Sequence, residues 1–200
     1  MELDIKYQVV LDLIKASLWG EPIPNEVDWE VFEEMDKHYI TTLPCQIMSQ
    51  MELDTNLKQF WKTTNYERIA NNVNCMRAQR MLPITVPYVI LKGTEAARYY
   101  PEPKFRTLGD IDIITRHEDF EEAFQQLLEG RYKLISDEGR EAVFNKDNVI
   151  IELHRSFAKL NNPAHAEYLD NEIISNINPS HVLPDDINGL VLLEHISQHM

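Results

Sequence analysis

The chain has only two cysteines, Cys45 and Cys75, and this shortage excludes two kinds of scaffold. A disulfide-stapled domain needs more cysteines, and a zinc site built from paired Cys-x-x-Cys motifs needs four. Two free thiols are typical of a reducing compartment, so we expect a cytoplasmic protein. The sequence also lacks any apolar stretch near the roughly 20 residues that cross a bilayer, so we expect no membrane partner.

Basic residues are scarce relative to acidic ones. Nineteen lysines and arginines stand against 33 aspartates and glutamates, which gives a formal net charge of −14 over 200 residues. Such a charge repels nucleic acid at long range, so we do not expect an extended nucleic-acid interface. A local basic groove built from Lys92, Arg98, Lys104 and Arg106 would still allow a smaller contact.

The hydrophobic pattern divides the chain into three regions. Residues 1–84 show helical spacing, including a long helix over 56–82 that would turn Phe60 and Trp61 inward. Residues 85–160 alternate short strands with helices in the order β-α-β-α-β-β, and Asp147-Asn148 is typical of the turn between the last two strands.

Residues 161–200 again have helical spacing, and the chain stops at Met200 without a cap or breaker, so we expect this segment to be truncated. These regions together predict an α+β fold in which a small mixed β-sheet is flanked by helices and preceded by an N-terminal helical region.

Two aspartates, Asp110 and Asp112, interrupt the second predicted strand. At this spacing both carboxylates lie on one face, about 6.6 Å apart at ~3.3 Å per residue, while Ile111 and Ile113 face a core. Unpaired, the two carboxylates would repel each other and pay a desolvation cost, so a divalent cation between them would explain their placement. Hard oxygen ligands favour Mg²⁺ or Mn²⁺ over zinc. The alternative is a solvated strand end or a helix cap.

A third acid, Glu152, interrupts the apolar strand 149–154 and is our candidate to complete a two-metal site. His154 shares its face and could hold a phosphate or orient a carboxylate. For Glu152 the competing interpretation is the polar outer face of an edge strand. For His154 it is a structural histidine.

Lys92 and Gly93 form a strand-to-helix turn after the first predicted strand. Glycine would let the backbone approach an anion, and the lysine adds a positive charge, which suits a triphosphate. Arg106 could contact phosphate or pair with Asp110. The alternative is an ordinary glycine turn beside a surface lysine.

A resemblance to a known family rests on three motifs: Leu91-Lys92-Gly93, Arg106-x-x-Gly109-Asp110-Ile111-Asp112 and Ile151-Glu152-Leu153-His154. They resemble the uncharacterised nucleotidyltransferase family of the polymerase-β-type superfamily, most closely over residues 85–160. The resemblance implies an NTP substrate and two Mg²⁺ ions. It makes Asp110 and Asp112 metal ligands, and it makes Glu152 the residue that completes the site and positions or activates the acceptor hydroxyl.

We expect six residues to bind the nucleotide: Lys92, Gly93, Thr94, Arg106, Gly109 and His154. The resemblance implies that Lys92 and Gly93 occupy the place of the superfamily's Gly-Ser phosphate turn, and Thr94 follows where that pattern prefers a serine.

Two classes of function follow from these residues. The first is a metal-dependent nucleotidyltransferase that moves a nucleoside monophosphate from an NTP to a hydroxyl of a small molecule, protein or RNA. An RNA-directed, toxin-like enzyme is one form of it. The second is a catalytically inactive module of the same fold that binds a nucleotide or a partner. The three acids favour the first class, and the missing serine favours the second.

Overall fold

A computed structural model describes residues 4–197, so Met200 and its expected truncation lie outside the described residues. The chain forms two compact units. The first comprises the chain up to Val73 together with Ala97–Thr107, and the second comprises Asn74–Ala96 and the chain from Leu108 onward. The domain boundaries expected at residues 84 and 160 stay predictions.

The first unit is helical, as the sequence predicts. It contains α1 (Ile5–Trp19), α2 (Trp29–Lys37), α3 (Cys45–Gln50) and the residues of α4 (Thr55–Arg80) up to Val73. Its core gathers apolar side chains from all four helices: Val10, Leu13, Val31, Phe32, Met35, Met48, Leu57 and Trp61. Trp61 is buried as expected, but the inward prediction for Phe60 is wrong, because Phe60 lies half exposed against the ring of Trp29.

The second unit is built on a five-stranded sheet. Its strands are β1 (Tyr88–Leu91), β2 (Asp110–Thr115), β3 (Lys133–Asp137), β4 (Glu141–Lys146) and β5 (Val149–His154). Their order is β1-β2-β5-β4-β3, and only β2 and β5 pair in parallel. The sheet is therefore mixed, and the predicted α+β class is confirmed.

Helices accompany the sheet: α5 (Gly93–Ala97), α6 (Phe120–Glu129), α7 (Pro163–Ser175) and α8 (Asp185–Ser197). Short 3-10 turns lie at Pro103–Phe105 and His117–Asp119. Within residues 4–197, no helix has the length and apolar character needed to cross a membrane.

The predicted hairpin between β4 and β5 is confirmed. Lys146 pairs with Val149 at its end, and the two residues between them, Asp147 and Asn148, have φ of 52° and 63°. Two consecutive positive φ values are typical of the type I′ turn, and Asn and Asp tolerate them better than most residues.

The two faces of the sheet differ in character. One face packs on α6 through Ile111, Ile113, Ile151 and Leu153. The other packs on α7 and α8 through Val89, Leu91 and Ile114. Because side chains alternate along a strand, Asp112, between Ile111 and Ile113, and Glu152, between Ile151 and Leu153, point to the α7–α8 face.

Candidate active site

The parallel pairing of β2 with β5 sets Asp112 opposite Glu152. Paired residues on neighbouring strands point to the same face of a sheet, so the two carboxylates share the α7–α8 face. His154 follows on that face two residues after Glu152 and pairs with Ile114. Asp110 lies at the first position of β2, opposite Ile150. Two strands thus supply one polar surface inside an apolar sheet.

Asp112, Glu152 and His154 form a tight cluster. Each offers one possible ligand atom, and these atoms lie within 4.8 Å of one another. Nε2 of His154 lies 3.0 Å from Oδ1 of Asp112 and 3.6 Å from Oε2 of Glu152. Among the described residues Asp110 is not a member of this cluster. The structure therefore brings together two of the three acids that the sequence predicts, and it adds His154.

Asp112 is the buried centre of the cluster. Its Oδ1 contacts Nε2 of His154 and, at 2.8 Å, Nζ of Lys92. Its Oδ2 is buried and has no hydrogen-bond partner in the part of the chain that the structure describes. A buried acceptor without a partner costs roughly 1–3 kcal/mol, more for a charged group. A hard cation would satisfy this oxygen, so the residues present fit Mg²⁺ or Mn²⁺.

The three carboxyl groups differ in their pKa values. Burial opposes ionisation of Asp112, but the His154 hydrogen bond and the Lys92 charge together lower its pKa. Burial, followed by the charge of Asp112, raises the pKa of Asp110. Burial and the charges of Asp112 and Asp110 raise the pKa of Glu152 to about 7. This pattern is typical of a site with more negative than positive charge.

His154 connects the cluster to β4. Its Nδ1 lies 3.3 Å from Oε2 of Glu141, its cross-strand partner. Its ring also stands edge-on to Phe157, with ring centroids 5.9 Å apart. The sequence interpretation missed Glu141, because its proximity to His154 exists only once β4 and β5 are in register. Carboxylates therefore lie next to both nitrogens of the His154 ring.

The turn between β1 and α5 has the backbone that a glycine favours. Lys92 and Gly93 have φ of 48° and 38°, and a Cβ at Gly93 would stand 3.4 Å from the carbonyl oxygen of Asp110. The alternative of a surface lysine is wrong, because the Lys92 side chain is only 12% exposed. The hydroxyl of Thr94 donates to the side-chain oxygen of Gln79 in α4.

The remaining predicted nucleotide-binding residues lie in different units. Gly109 precedes β2 in the second unit, and a Cβ there would meet nothing within 4 Å among the described residues. Arg106 belongs to the first unit, where its guanidinium donates to the carbonyl of Thr107. Nucleotide binding by these two residues stays a prediction.

Comparison with known proteins adds one finding. Residues 26–200 match a family model described as uncharacterised nucleotidyltransferase. The matched range includes the whole second unit and every residue of the acidic cluster. No curated protein and no solved structure matches the chain significantly.

Proposed function

Because the chain belongs to the uncharacterised nucleotidyltransferase family, we propose that it transfers a nucleoside monophosphate from an NTP to an acceptor hydroxyl and releases pyrophosphate in a divalent-metal-dependent reaction. The family match bears out the resemblance carried by the three motifs, and a nucleotidyltransferase role follows from it at that general level. The metal, the nucleotide and the acceptor are our proposal.

One observation carries the metal dependence. The fully buried Asp112 faces Glu152 across two parallel strands, and one of its oxygens has no hydrogen-bond partner among the described residues. A fold rarely retains such an oxygen unless a ligand uses it. We assign Asp112 and Glu152 as metal ligands. Asp110, at the start of β2, is the proposed third acid, and His154 holds Asp112 in place.

A bound Mg²⁺ or Mn²⁺ would neutralise the triphosphate and make an acceptor hydroxyl more acidic. The chain's own residues supply the rest. The Glu152 side chain is 24% exposed, so its carboxylate can also hold the acceptor hydroxyl and take its proton. As the hydroxyl oxygen bonds to the α-phosphorus, the bond from that phosphorus to the bridging oxygen breaks and pyrophosphate leaves. Lys92 and the Gly93 turn are the proposed contacts of the triphosphate.

A second candidate is the inactive module that binds a nucleotide or a partner. Two contacts favour it. The hydroxyl of Thr94, which follows Gly93 where the superfamily prefers serine, is bonded to Gln79. The ammonium of Lys92 is bonded to Asp112. Both side chains of the proposed phosphate turn therefore already have protein partners.

A cytoplasmic location also remains a prediction.

The test is pyrophosphate release by the purified chain with Mg²⁺ and each of the four NTPs, with and without extracts of small molecules, protein or RNA as acceptor. We expect release with at least one NTP, and label transfer then identifies the class of acceptor. Insensitivity of the rate to salt would argue against RNA, because RNA binding weakens steeply as salt rises. Nucleotide binding without pyrophosphate release in any mixture would favour the inactive module.

A further inference from the structure

Lys92 contacts the acidic cluster through Asp112, and its side chain is largely buried. Its Nζ lies 2.8 Å from Oδ1 of Asp112, and its side chain is 12% exposed. The ammonium also lies 5.6 Å from the centre of the Phe157 ring, at a distance that suits a cation–π contact. Two independent contacts thus fix a positive charge beside the most buried carboxylate of the site.

Lys92 brings a positive charge into this contact. A lysine is ordinarily protonated at neutral pH, and its Nζ lies 2.8 Å from the carboxylate of Asp112. Nε2 of His154 contacts the same oxygen of Asp112. Without a metal, Lys92 therefore supplies a positive charge beside Asp112.

Lys92 holds Oδ1 of Asp112, and a divalent cation ligated by Asp112 and Glu152 would take Oδ2 of the same carboxylate, so the two positive charges would stand next to each other. Like charges at such short range repel strongly where water is scarce. The cation therefore binds well only if Lys92 moves away, and a displaced ammonium needs another anion. The triphosphate of the proposed substrate is such an anion.

We propose that Lys92 competes with the metal for Asp112 in the free protein and moves to the triphosphate when metal and nucleotide bind together. This inference rests on the proposed function. Lys92 then makes the binding of the two ligands cooperative. The triphosphate draws the ammonium away from the metal, and the metal releases the ammonium from Asp112 for the triphosphate. Such coupling is reciprocal: the nucleotide strengthens metal binding by the same factor as the metal strengthens nucleotide binding.

The test is a Mn²⁺ titration followed by electron paramagnetic resonance, with and without an NTP analogue whose α–β bridge is methylene. Lys92→Met removes the charge and keeps the chain length. Lys133→Met is the matched control, because Lys133 is an exposed lysine on β3 of the same sheet. Lys92→Gln is a second neutral variant in case methionine prevents folding, which circular dichroism checks.

We expect Lys92→Met to bind Mn²⁺ alone about tenfold more tightly than the parent, within the usual range of coupling. The analogue should tighten Mn²⁺ binding about tenfold in the parent and in Lys133→Met, and less than threefold in Lys92→Met. Unchanged or weaker Mn²⁺ binding by both Lys92 variants would overturn the inference, as would full enhancement by the analogue in those variants. Absence of Mn²⁺ binding in every protein would instead overturn the metal site of the proposed function and the inference with it.

Discussion

Asp112 and Glu152 occupy paired positions on two parallel strands, yet their carboxyl groups have opposite pKa shifts. Burial raises both pKa values, but His154 and Lys92 contact Asp112 and outweigh its burial, whereas the negative charges of Asp112 and Asp110 add to the burial of Glu152. One acid is thus held ionised and the other exchanges its proton near neutral pH. If both acids bind the proposed cation, it displaces a proton from Glu152 but not from Asp112, and several predictions depend on this difference.

Asp112→Asn should keep the fold and lose transfer. The asparagine oxygen still accepts hydrogen bonds from Lys92 and His154, but the negative charge for the cation is gone. We expect pyrophosphate release to fall at least 100-fold, on the order of the loss of one key electrostatic group. Asp147→Asn, in the β4–β5 turn, removes the same charge outside the cluster and should keep the parent's rate. An Asp112→Asn protein with the parent's rate would refute the metal assignment.

Metal binding should depend on pH through Glu152. Its raised pKa, about 7, means that the proton must leave when a cation binds. Mn²⁺ affinity should therefore fall roughly tenfold per pH unit below about 7 and level off above it. Calorimetry in buffers of different ionisation enthalpy would show the released proton. In Glu152→Gln the pH dependence below 7 should flatten, and an unchanged slope in that variant would assign the proton to another group.

Glu152→Gln should also stabilise the metal-free protein. Because the folded-state pKa of Glu152 lies above its unfolded value, ionisation of this group destabilises the fold as pH rises toward about 7, and the loss persists above it. The neutral glutamine avoids this loss. With chelator present we expect a Tm at least roughly 2–4 °C higher at pH 8, which corresponds to about 1 kcal/mol, and a much smaller gain at pH 4. A lower Tm at pH 8 would contradict the assignment.

The Cys45 thiol should react slowly in the folded protein. Burial raises its pKa to about 11, with the charge of Lys104 only partly opposing the shift. At pH 8 its thiolate fraction should be on the order of 100-fold below that of a free cysteine, and alkylation should slow accordingly. Mass spectrometry after timed iodoacetamide treatment measures this. Denaturant should restore fast labelling, and equally fast labelling without denaturant would show that the thiol is accessible.

The β4–β5 turn should tolerate glycine better than β-branched residues at position 148. Asn148 has φ of 63°, a conformation that costs most L-residues about 1–2 kcal/mol. Asn148→Val should therefore lower the free energy of unfolding by about that amount, and Asn148→Gly should keep it close to the parent value. Urea denaturation of the three proteins tests this. Equal losses in both variants would indicate that the side chain of Asn148, rather than its backbone, stabilises the turn.

Much of the candidate site is predictable from alternation within single strands. Asp112 and Glu152 stand out because Ile111, Ile113, Ile151 and Leu153 around them must face a core, and the structure places these four side chains there. Pairing between strands is less predictable. β2 and β5 lie about 40 residues apart in the sequence, so neither their parallel direction nor the alignment of Asp112 with Glu152 follows from local pattern.

The same limit explains two contacts that the sequence does not reveal. In the sequence Glu141 looks like an ordinary polar residue, because its contact with His154 depends on the pairing of β4 with β5. Phe60 fits the helical pattern of α4, but the pattern does not show that Phe60 contacts Trp29 and lies half exposed at the edge of the core. Each miss concerns a contact between elements.

The alternation of β5 also dictates which changes of length the protein could survive. One residue inserted between Ile150 and Glu152 would exchange the two faces of the strand beyond it. The Glu152 carboxylate would then point into the apolar layer under α6, and Leu153 would turn toward the proposed metal site. Extra residues at the Asp147-Asn148 bend leave that alternation untouched. New segments can therefore be inserted at the tip of the hairpin, whereas inserting one residue into β5 would reverse the faces of Glu152 and Leu153.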